Sequence, residues 1–302
     1  MPTFNRPQLL QQALGRIVAQ TYQNLEIIVS DNASPTDEVD TIVRGFMATD
    51  LRIKYFRQPF NYGPAHNFQF VLDQASGDFF MWASDDDWRA ETYVAELVDA
   101  LTCNPGASLA FCNFIAADTD GKKVSGYPDF LKKMLPFTHR STTLRQLRFF
   151  LQNERFGKAN SFYGLIRRQH LQGFKFEEFE KKAGLYGIDM LFVFWLLGKG
   201  SLALSSNELY KSTVGNQKFY EVSAAETNNM TLRITRLLAS IKQSLDYSLR
   251  YLLLADSGSR LTVALFLPVK LLQTCWMLII PTILSRWSSA TDENKKKNLY
   301  SK

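Results

Sequence analysis

Cysteine is scarce in this chain. Cys103, Cys112 and Cys275 lie far apart and form no C-x-x-C pair, so a disulfide framework is excluded and a reducing compartment is expected. Histidine is equally thin: His66, His139 and His170 show no H-x-x-x-H spacing, which leaves a zinc centre without ligands. The only G-x-G is Gly198-Lys199-Gly200, at an expected helix end, and no G-x-G-x-x-G follows an early strand. A dinucleotide-dependent dehydrogenase is thereby disfavoured. Met1-Pro2-Thr3-Phe4-Asn5-Arg6 contains no apolar h-region, so no secretory signal is expected in these residues, and no internal repeat is visible. In bulk the chain is ordinary: 302 residues, 46% hydrophobic and 21% charged, enough for a full core. The charge of +6 is uneven, because residues 245–302 hold eight Lys or Arg against four Asp or Glu, a net +4. A basic tail of this kind suits an anionic membrane surface better than a nucleic-acid groove.

The strongest local signal is Ser84-Asp85-Asp86-Asp87-Trp88, directly after the apolar run Phe79-Phe80-Met81-Trp82-Ala83. Three carboxylates at the end of a buried strand repel one another and are costly to desolvate without a cation or a hydrogen-bonding ligand. Oxygen ligands alone point to Mg²⁺ or Mn²⁺, ions that keep part of their shell for substrate phosphates. The competing reading is a solvated acidic turn in which Asp86 or Asp87 caps the next helix.

Apolar spacing predicts a repeating order of helix, short strand and polar loop. Leu9, Leu10, Ala13, Leu14, Ile17 and Val18 mark a first helix, and Leu25 to Val29 a strand ending at Ser30-Asp31-Asn32. Val39, Ile42, Val43, Phe46 and Met47 mark a second helix, followed by a strand from Ile53 to Phe56 and a turn at Asn61-Tyr62-Gly63-Pro64. A third helix stops at Gly77 and feeds the strand before the triple Asp; a fourth runs from Glu91 to Leu101, ahead of a strand at Leu109–Cys112. Such alternation specifies an α/β fold: a doubly wound, mostly parallel sheet with helices on both faces and ligands at the carboxyl ends of the strands. Beyond Asn113 the pattern loosens until a helix from Asp189 to Leu197, and from about residue 221 the chain reads as helical and increasingly apolar.

Taken in order, Pro2-Thr3-Phe4-Asn5-Arg6, Ala19-Gln20-Thr21-Tyr22, Ser30-Asp31-Asn32-Ala33-Ser34, Asn61-Tyr62-Gly63 with Asn67, and Ser84-Asp85-Asp86-Asp87 resemble the family 2 glycosyltransferases of the GT-A fold. The resemblance implies a GT-A domain over residues 1–220 and a helical, membrane-associating region over 221–302. It also implies inverting transfer of a sugar from a nucleotide-diphosphate donor. By the same resemblance Thr3 and Asn5 line the nucleotide pocket with Asn61, Gly63 and Asn67, and Asp31 accepts from the base or ribose. Asp85 faces the ribose or the metal's waters, Asp86 adds to the donor site, and Asp87 binds the metal, Mn²⁺ or Mg²⁺. Arg6 reads either as a phosphate contact or as a solvated helix-start residue. The family's late acidic pair corresponds to Ile188-Asp189, which leaves Asp189 as the base or, alternatively, as a helix cap. Trp88 and Trp195 read as sugar-stacking platforms or, more commonly, as core aromatics.

The family also places an apolar first strand ahead of Pro2-Thr3. Here the chain opens at the end of that strand, so a central slot in the sheet and a truncated or misassigned start are expected. A non-catalytic nucleotide-sugar or glycan-binding module is the alternative function. Leu261 to Leu284, interrupted by Pro268, Lys270 and Pro281, is expected to lie in the cytoplasmic membrane interface, with Lys270 reaching the headgroups and Arg260, Arg286 and Lys295 to Lys297 meeting anionic lipid. A glycan or lipid-linked acceptor in cell-surface polysaccharide or lipopolysaccharide assembly completes the expectation.

Overall fold

The computed structural model describes residues 1–118, 122–127, 129–184, 187–213, 230–274 and 276. Its first half is the repeating unit expected from apolar spacing. Strand β1 (Pro2–Thr3) leads into α1 (Pro7–Val18), β2 (Ile27–Asp31) into α2 (Glu38–Met47), and β3 (Ile53–Arg57) into α3 (Pro64–Asp73). These strands form a three-stranded parallel sheet in the order β1-β2-β3, with Pro2 opposite Ser30 and Thr3 opposite Asp31. Both faces are covered. Ile27 and Val29 pack with Leu10, Leu14, Val39 and Val43 from α1 and α2, while the intervening Ile28 packs with Val71 and Leu72 of α3. Alternate residues of β2 thus feed two separate cores, and its near-continuous apolar sequence follows.

The second sheet is mixed and has six strands. Strands β4 (Phe79–Phe80) and β5 (Trp88–Arg89) precede α4 (Tyr93–Cys103), β6 (Ala107–Ala117) and β7 (Lys123–Gly126). Helices α5 (Phe130–Met134) and α6 (Thr142–Leu151), β8 (Leu165–Arg167), α7 (Phe176–Ala183), α8 (Ile188–Leu197) and β9 (Ser201–Thr213) follow. The strand order is β4-β8-β6-β9-β5, with β7 on the outer part of β6; β6 and β9 are parallel and the other pairs antiparallel. A cavity lies between the two sheets. Met1, Ile27, Ile28, Phe79, Phe80 and Met81 border a cavity of about 320 Å³, and the Met1 amine donates to the Ile28 carbonyl at 2.6 Å.

Helices α9 (Met230–Leu254) and α10 (Ser257–Leu265) complete the described chain apart from a short helical stretch over 267–274. Tyr247, Tyr251, Leu254 and Val263 join the main core. One sequence-based expectation fails here: Lys270 does not reach outward. It is 3% exposed, with its ammonium 3.6 Å from Glu154 and 3.4 Å from the Gln152 carbonyl, beside the Phe150 ring. A carboxylate and a carbonyl inside the fold replace the water that snorkelling would have supplied. Among the described residues no helix is long and apolar enough to cross a membrane, and residues 277–284 of the apolar stretch, with the basic tail, lie outside them.

Candidate active site

The carboxyl ends of β1, β2 and β3 share one edge, where parallel sheets gather ligands. The loop after β1 is built to meet the loop after β4. Thr3 donates from Oγ1 to Asp85 Oδ2 at 2.7 Å, and Arg6 Nη1 donates to Asp85 Oδ1 at 3.2 Å and to Asp86 Oδ2 at 3.1 Å. Asn5 takes a left-handed backbone conformation (φ 54°), and its amide donates to Ser34 Oγ at 2.8 Å. Ser34 in turn donates from its amide (3.0 Å) and its hydroxyl to Asp31. Asp31 is fully buried, so its carboxylate braces this turn and does not line the cavity beside it.

Asn61, Gly63 and Asn67 are brought to the same edge by different means. Asn32 Nδ2 donates to Asn61 Oδ1 at 2.8 Å and to the Gly63 carbonyl at 3.1 Å, tying the turn to β2. Gly63 (φ 85°) is the residue before α3, where a left-handed backbone angle favours glycine. Buried Asn67 accepts from Ser30 Oγ at 2.6 Å and donates to the Ser30 carbonyl at 3.0 Å, fixing α3 against β2. Thr3, Arg6, Asn61, Asn67, Asp85 and Asp86 line one cavity of about 400 Å³.

The triple Asp divides. Asp85 and Asp86 face that cavity, and one Arg6 nitrogen sits between their oxygens like a stand-in cation; the guanidinium side chain is 52% exposed. Two converging anionic oxygens suit a hard divalent ion, which completes its shell with water and phosphate oxygens. Among the described residues no group of three His, Cys, Asp or Glu is placed to hold a metal by itself. Asp87, expected as the metal ligand, turns the other way. Only 6% exposed, it accepts from the Tyr210 hydroxyl and from the Thr213 amide at 2.9 Å. Burial pushes its pKa up, opposed by nearby Arg89. Arg89 is buried between the rings of Tyr93 and Tyr210, 5.8 and 5.3 Å from their centroids, and has no hydrogen-bond partner among the described residues.

A second cavity of about 850 Å³ adjoins the first, sharing Pro64, Phe68 and Tyr163, and contains Asp189 at the start of α8. Asp189 accepts from the Met190 amide at 2.8 Å, and burial raises its pKa above the ordinary carboxylate value. Tyr163 links the halves: after burial itself, the charges of Asp87, Asp86 and Asp189 are what push its pKa up. No spacing in the sequence marks Tyr163, which lies in a 3-10 turn within the loosely patterned region. Trp195 packs on Phe174, Phe179 and Phe192 as a core aromatic. Trp88 is half-buried, with Arg16 5.5 Å and Lys211 4.5 Å from its ring.

Comparison with known proteins places this geometry. The sequence model of the family described as glycosyl transferase family 2 matches residues 1–172. A GalNAc(5)-diNAcBac-PP-undecaprenol beta-1,3-glucosyltransferase of Campylobacter jejuni is 33% identical over 175 residues, 54% of this chain and 55% of that protein. An uncharacterized glycosyltransferase of Haemophilus influenzae is 31% identical over 132 residues, 41% of this chain and 52% of its own length. The aligned part therefore spans about half the length of these relatives. Among solved structures, TarS 1-349 of S. aureus in complex with UDP superposes with a TM-score of 0.57 at 15% identity, covering 95% of this chain and 90% of that one. The mannosyltransferase PcManGT of Pyrobaculum calidifontis, in complex with GDP-Man and Mn²⁺, gives 0.55 at 16% identity, covering 99% and 79%. The architecture is a GT-A-like α/β fold.

Proposed function

The chain belongs to glycosyl transferase family 2, and on that premise we propose that it transfers a sugar, with inversion, from a nucleoside diphosphate donor to a hydroxyl of a glycan or lipid-linked acceptor. The observation that carries the reading is the adjacency of two cavities, one with a paired-carboxylate seat and one with a half-buried carboxylate that has no ion pair among the described residues, sharing Pro64, Phe68 and Tyr163. The donor occupies the first cavity, its nucleotide held at Thr3, Asn61 and Asn67. Asp85 and Asp86 would hold Mg²⁺ or Mn²⁺, which supplies charge stabilisation to the departing diphosphate. Arg6 offers the same phosphates a second cation.

From the second cavity the acceptor hydroxyl attacks the anomeric carbon. Its oxygen bonds to that carbon, the carbon–phosphate oxygen bond breaks with both electrons leaving on the nucleoside diphosphate, and Asp189 takes the hydroxyl proton. Proton acceptance requires the Asp189 anion. Because burial raises its pKa, turnover falls as pH drops through that raised value.

An anionic membrane surface on the cytoplasmic side is the setting in which a lipid-linked acceptor would be met. The C. jejuni relative is named for an undecaprenol-linked substrate, and here Leu249, Leu253, Leu261, Leu265 and Leu272 are exposed on the C-terminal helices. Assembly of cell-surface glycans is the corresponding role.

Thermal shift of the full chain against a panel of nucleotide sugars, with Mn²⁺, Mg²⁺ or EDTA, identifies the donor; turnover is then compared with Asp189→Asn. The expected result is cation-dependent stabilisation by one donor and a roughly 10²- to 10⁴-fold fall in turnover with donor affinity kept. Donor binding indifferent to EDTA refutes the metal assignment. Near-normal turnover by Asp189→Asn refutes the base.

A further inference from the structure

The cavity that holds Asp189 has a distinctive lining. Phe68, Phe162, Tyr163 and Phe176 supply its aromatic surface, Asp189 and Glu180 are its charged side chains, and among the described residues no Lys, Arg or His reaches it. Glu180 follows Phe176 by one helical turn on α7, which puts a carboxylate and a ring on the same helix face. Half-buried, the Glu180 side chain has neither a hydrogen bond nor an ion pair within the described fold.

Lys181 and Lys182, next in the chain after Glu180, do not line the cavity, and three further cations are paired elsewhere. Lys175 lies 3.7 Å from Asp73, Arg250 2.8 Å from Asp246, and Lys270 3.6 Å from Glu154. Glu154 adds its own negative charge to the surroundings of Asp189. Next door stand Asp85 and Asp86, whose charge is met within that cavity by Arg6 and, on the reading above, by the donor's divalent cation.

We infer that Glu180 is an acceptor-binding, specificity-determining residue, and that its cavity admits an uncharged, hydroxyl-bearing sugar while rejecting an acceptor whose reacting end carries an anion, such as a lipid phosphate or a hexuronic acid. Aromatic rings bury the apolar C–H faces of a sugar, and free carboxylates accept from its hydroxyls, so the lining matches a neutral glycosyl unit. An incoming anion would meet two carboxylates with no Lys, Arg or His among the described lining residues to offset them. About 850 Å³ lies within the range of a small-molecule pocket and leaves room for a sugar. A lipid-linked acceptor is thus reached through a sugar already attached to the lipid, with its phosphates kept outside this cavity. The inference rests on the transferase reading above.

The test uses p-nitrophenyl hexosides as neutral probes, the matching p-nitrophenyl hexuronides as anionic probes, and a short-chain polyprenyl phosphate. Each is assayed for kcat/KM with the full chain, Glu180→Gln and Glu180→Lys. The unaltered chain is expected to favour the hexoside over both anionic probes by at least about tenfold. Glu180→Lys should move the hexoside-to-hexuronide ratio at least tenfold toward the hexuronide, mainly through KM, and Glu180→Gln should move it part of the way. Because the readout is a ratio within each variant, a partly unfolded variant does not mimic the result. An unaltered chain that prefers an anionic probe, or a ratio that both substitutions leave unmoved, overturns the inference. Hydrolysis of donor without acceptor reports the transferase reading separately. If no donor is turned over, saturation-transfer binding of the hexoside and hexuronide to the same three proteins decides by the same ratios.

Discussion

Asp86 and Asp87 adjoin in sequence and meet opposite surroundings. Asp87 is enclosed, held by Tyr210 and the Thr213 amide, with Arg89 as its nearby countercharge; Asp86 faces the cavity proposed for the donor, opposite Arg6. Asp87→Asn should therefore destabilise the protein by about 1.5–3 kcal/mol, the usual worth of a hydrogen bond to a charged group, and more if Arg89 is left without compensation. Asp86→Asn should leave the ligand-free melting temperature nearly unchanged and weaken cation-dependent donor binding by roughly tenfold or more. Melting without ligand, beside donor titration with and without Mn²⁺, separates the two; the reverse pattern would return the metal to Asp87. Motif spacing pairs Asp85 with Asp87 because alternate residues of an extended strand share a side. Strand β4 ends at Phe80, and Ser84 donates back to Asp86, so the chain bends and Asp86 turns beside Asp85. Asp31 misleads for a related reason. It stands where an acid meets a ligand, but the positive-φ turn through Ala33 folds Ser34 back onto its carboxylate.

At the scale of elements, the unfilled space lies where two sheets end on facing edges. β1 pairs with β2 opposite Ser30 and Asp31, and among the described residues β4 pairs with β8 alone, which leaves the cavity beside Met1. Burial lowers the pKa of the Met1 amine to about 5, so the ladder holds an amine where a peptide N–H would bond without a charge to desolvate. A Val-Ile-Val-Ile extension fused ahead of Met1 should run parallel to β2 and join the two sheets. The melting temperature should rise by at least about 5 °C, with slower hydrogen exchange at Ile27 to Val29, and a Ser-Gly-Ser-Gly extension should do neither. Equal effects from both extensions, or insolubility confined to the apolar one, would show that the strand does not seat. The helices of the first half are legible because one face of each is buried, which imposes a clean period, and β2 because burial of both its faces makes a continuous apolar run. β8 and β5 are not: two or three residues carry no period. Nor is β9, where Ser205, Ser206 and Asn207 interrupt the apolar pattern and the pairing with β6 shifts register.

Across the whole molecule, the inward turn of Lys270 changes what the C-terminal helices present outward. With its charge spent on Glu154, the exposed positions Leu265, Val269, Leu272 and Trp276 are not interrupted by that cation, and they add to the stripe Leu245, Leu249 and Leu253 spaced one turn apart on α9. The opposite side of α9 belongs to the catalytic body: Tyr247 packs on Gly187, two residues before Asp189, and Arg250 donates to the Lys182 carbonyl. An apolar face carried by a helix that braces the cavity proposed for the acceptor would hold that cavity close to a bilayer without a span. Inserting a leucine fully is worth about 1.5–3 kcal/mol, so even partial burial of several exceeds what one charge at the headgroups supplies, about 1 kcal/mol. The full chain should therefore co-sediment with phosphatidylglycerol vesicles, weaken only modestly in high salt, and bind phosphatidylcholine vesicles measurably. Replacing Leu249, Leu253 and Leu265 together by Glu should reduce vesicle binding at least tenfold and, because all three side chains are exposed, leave the melting temperature within about 2 °C. Binding that survives the triple substitution would remove the leucine face from the contact. A chain that ignores both vesicle types and sediments as a dimer, which the same substitution dissociates, would assign the face to a second copy.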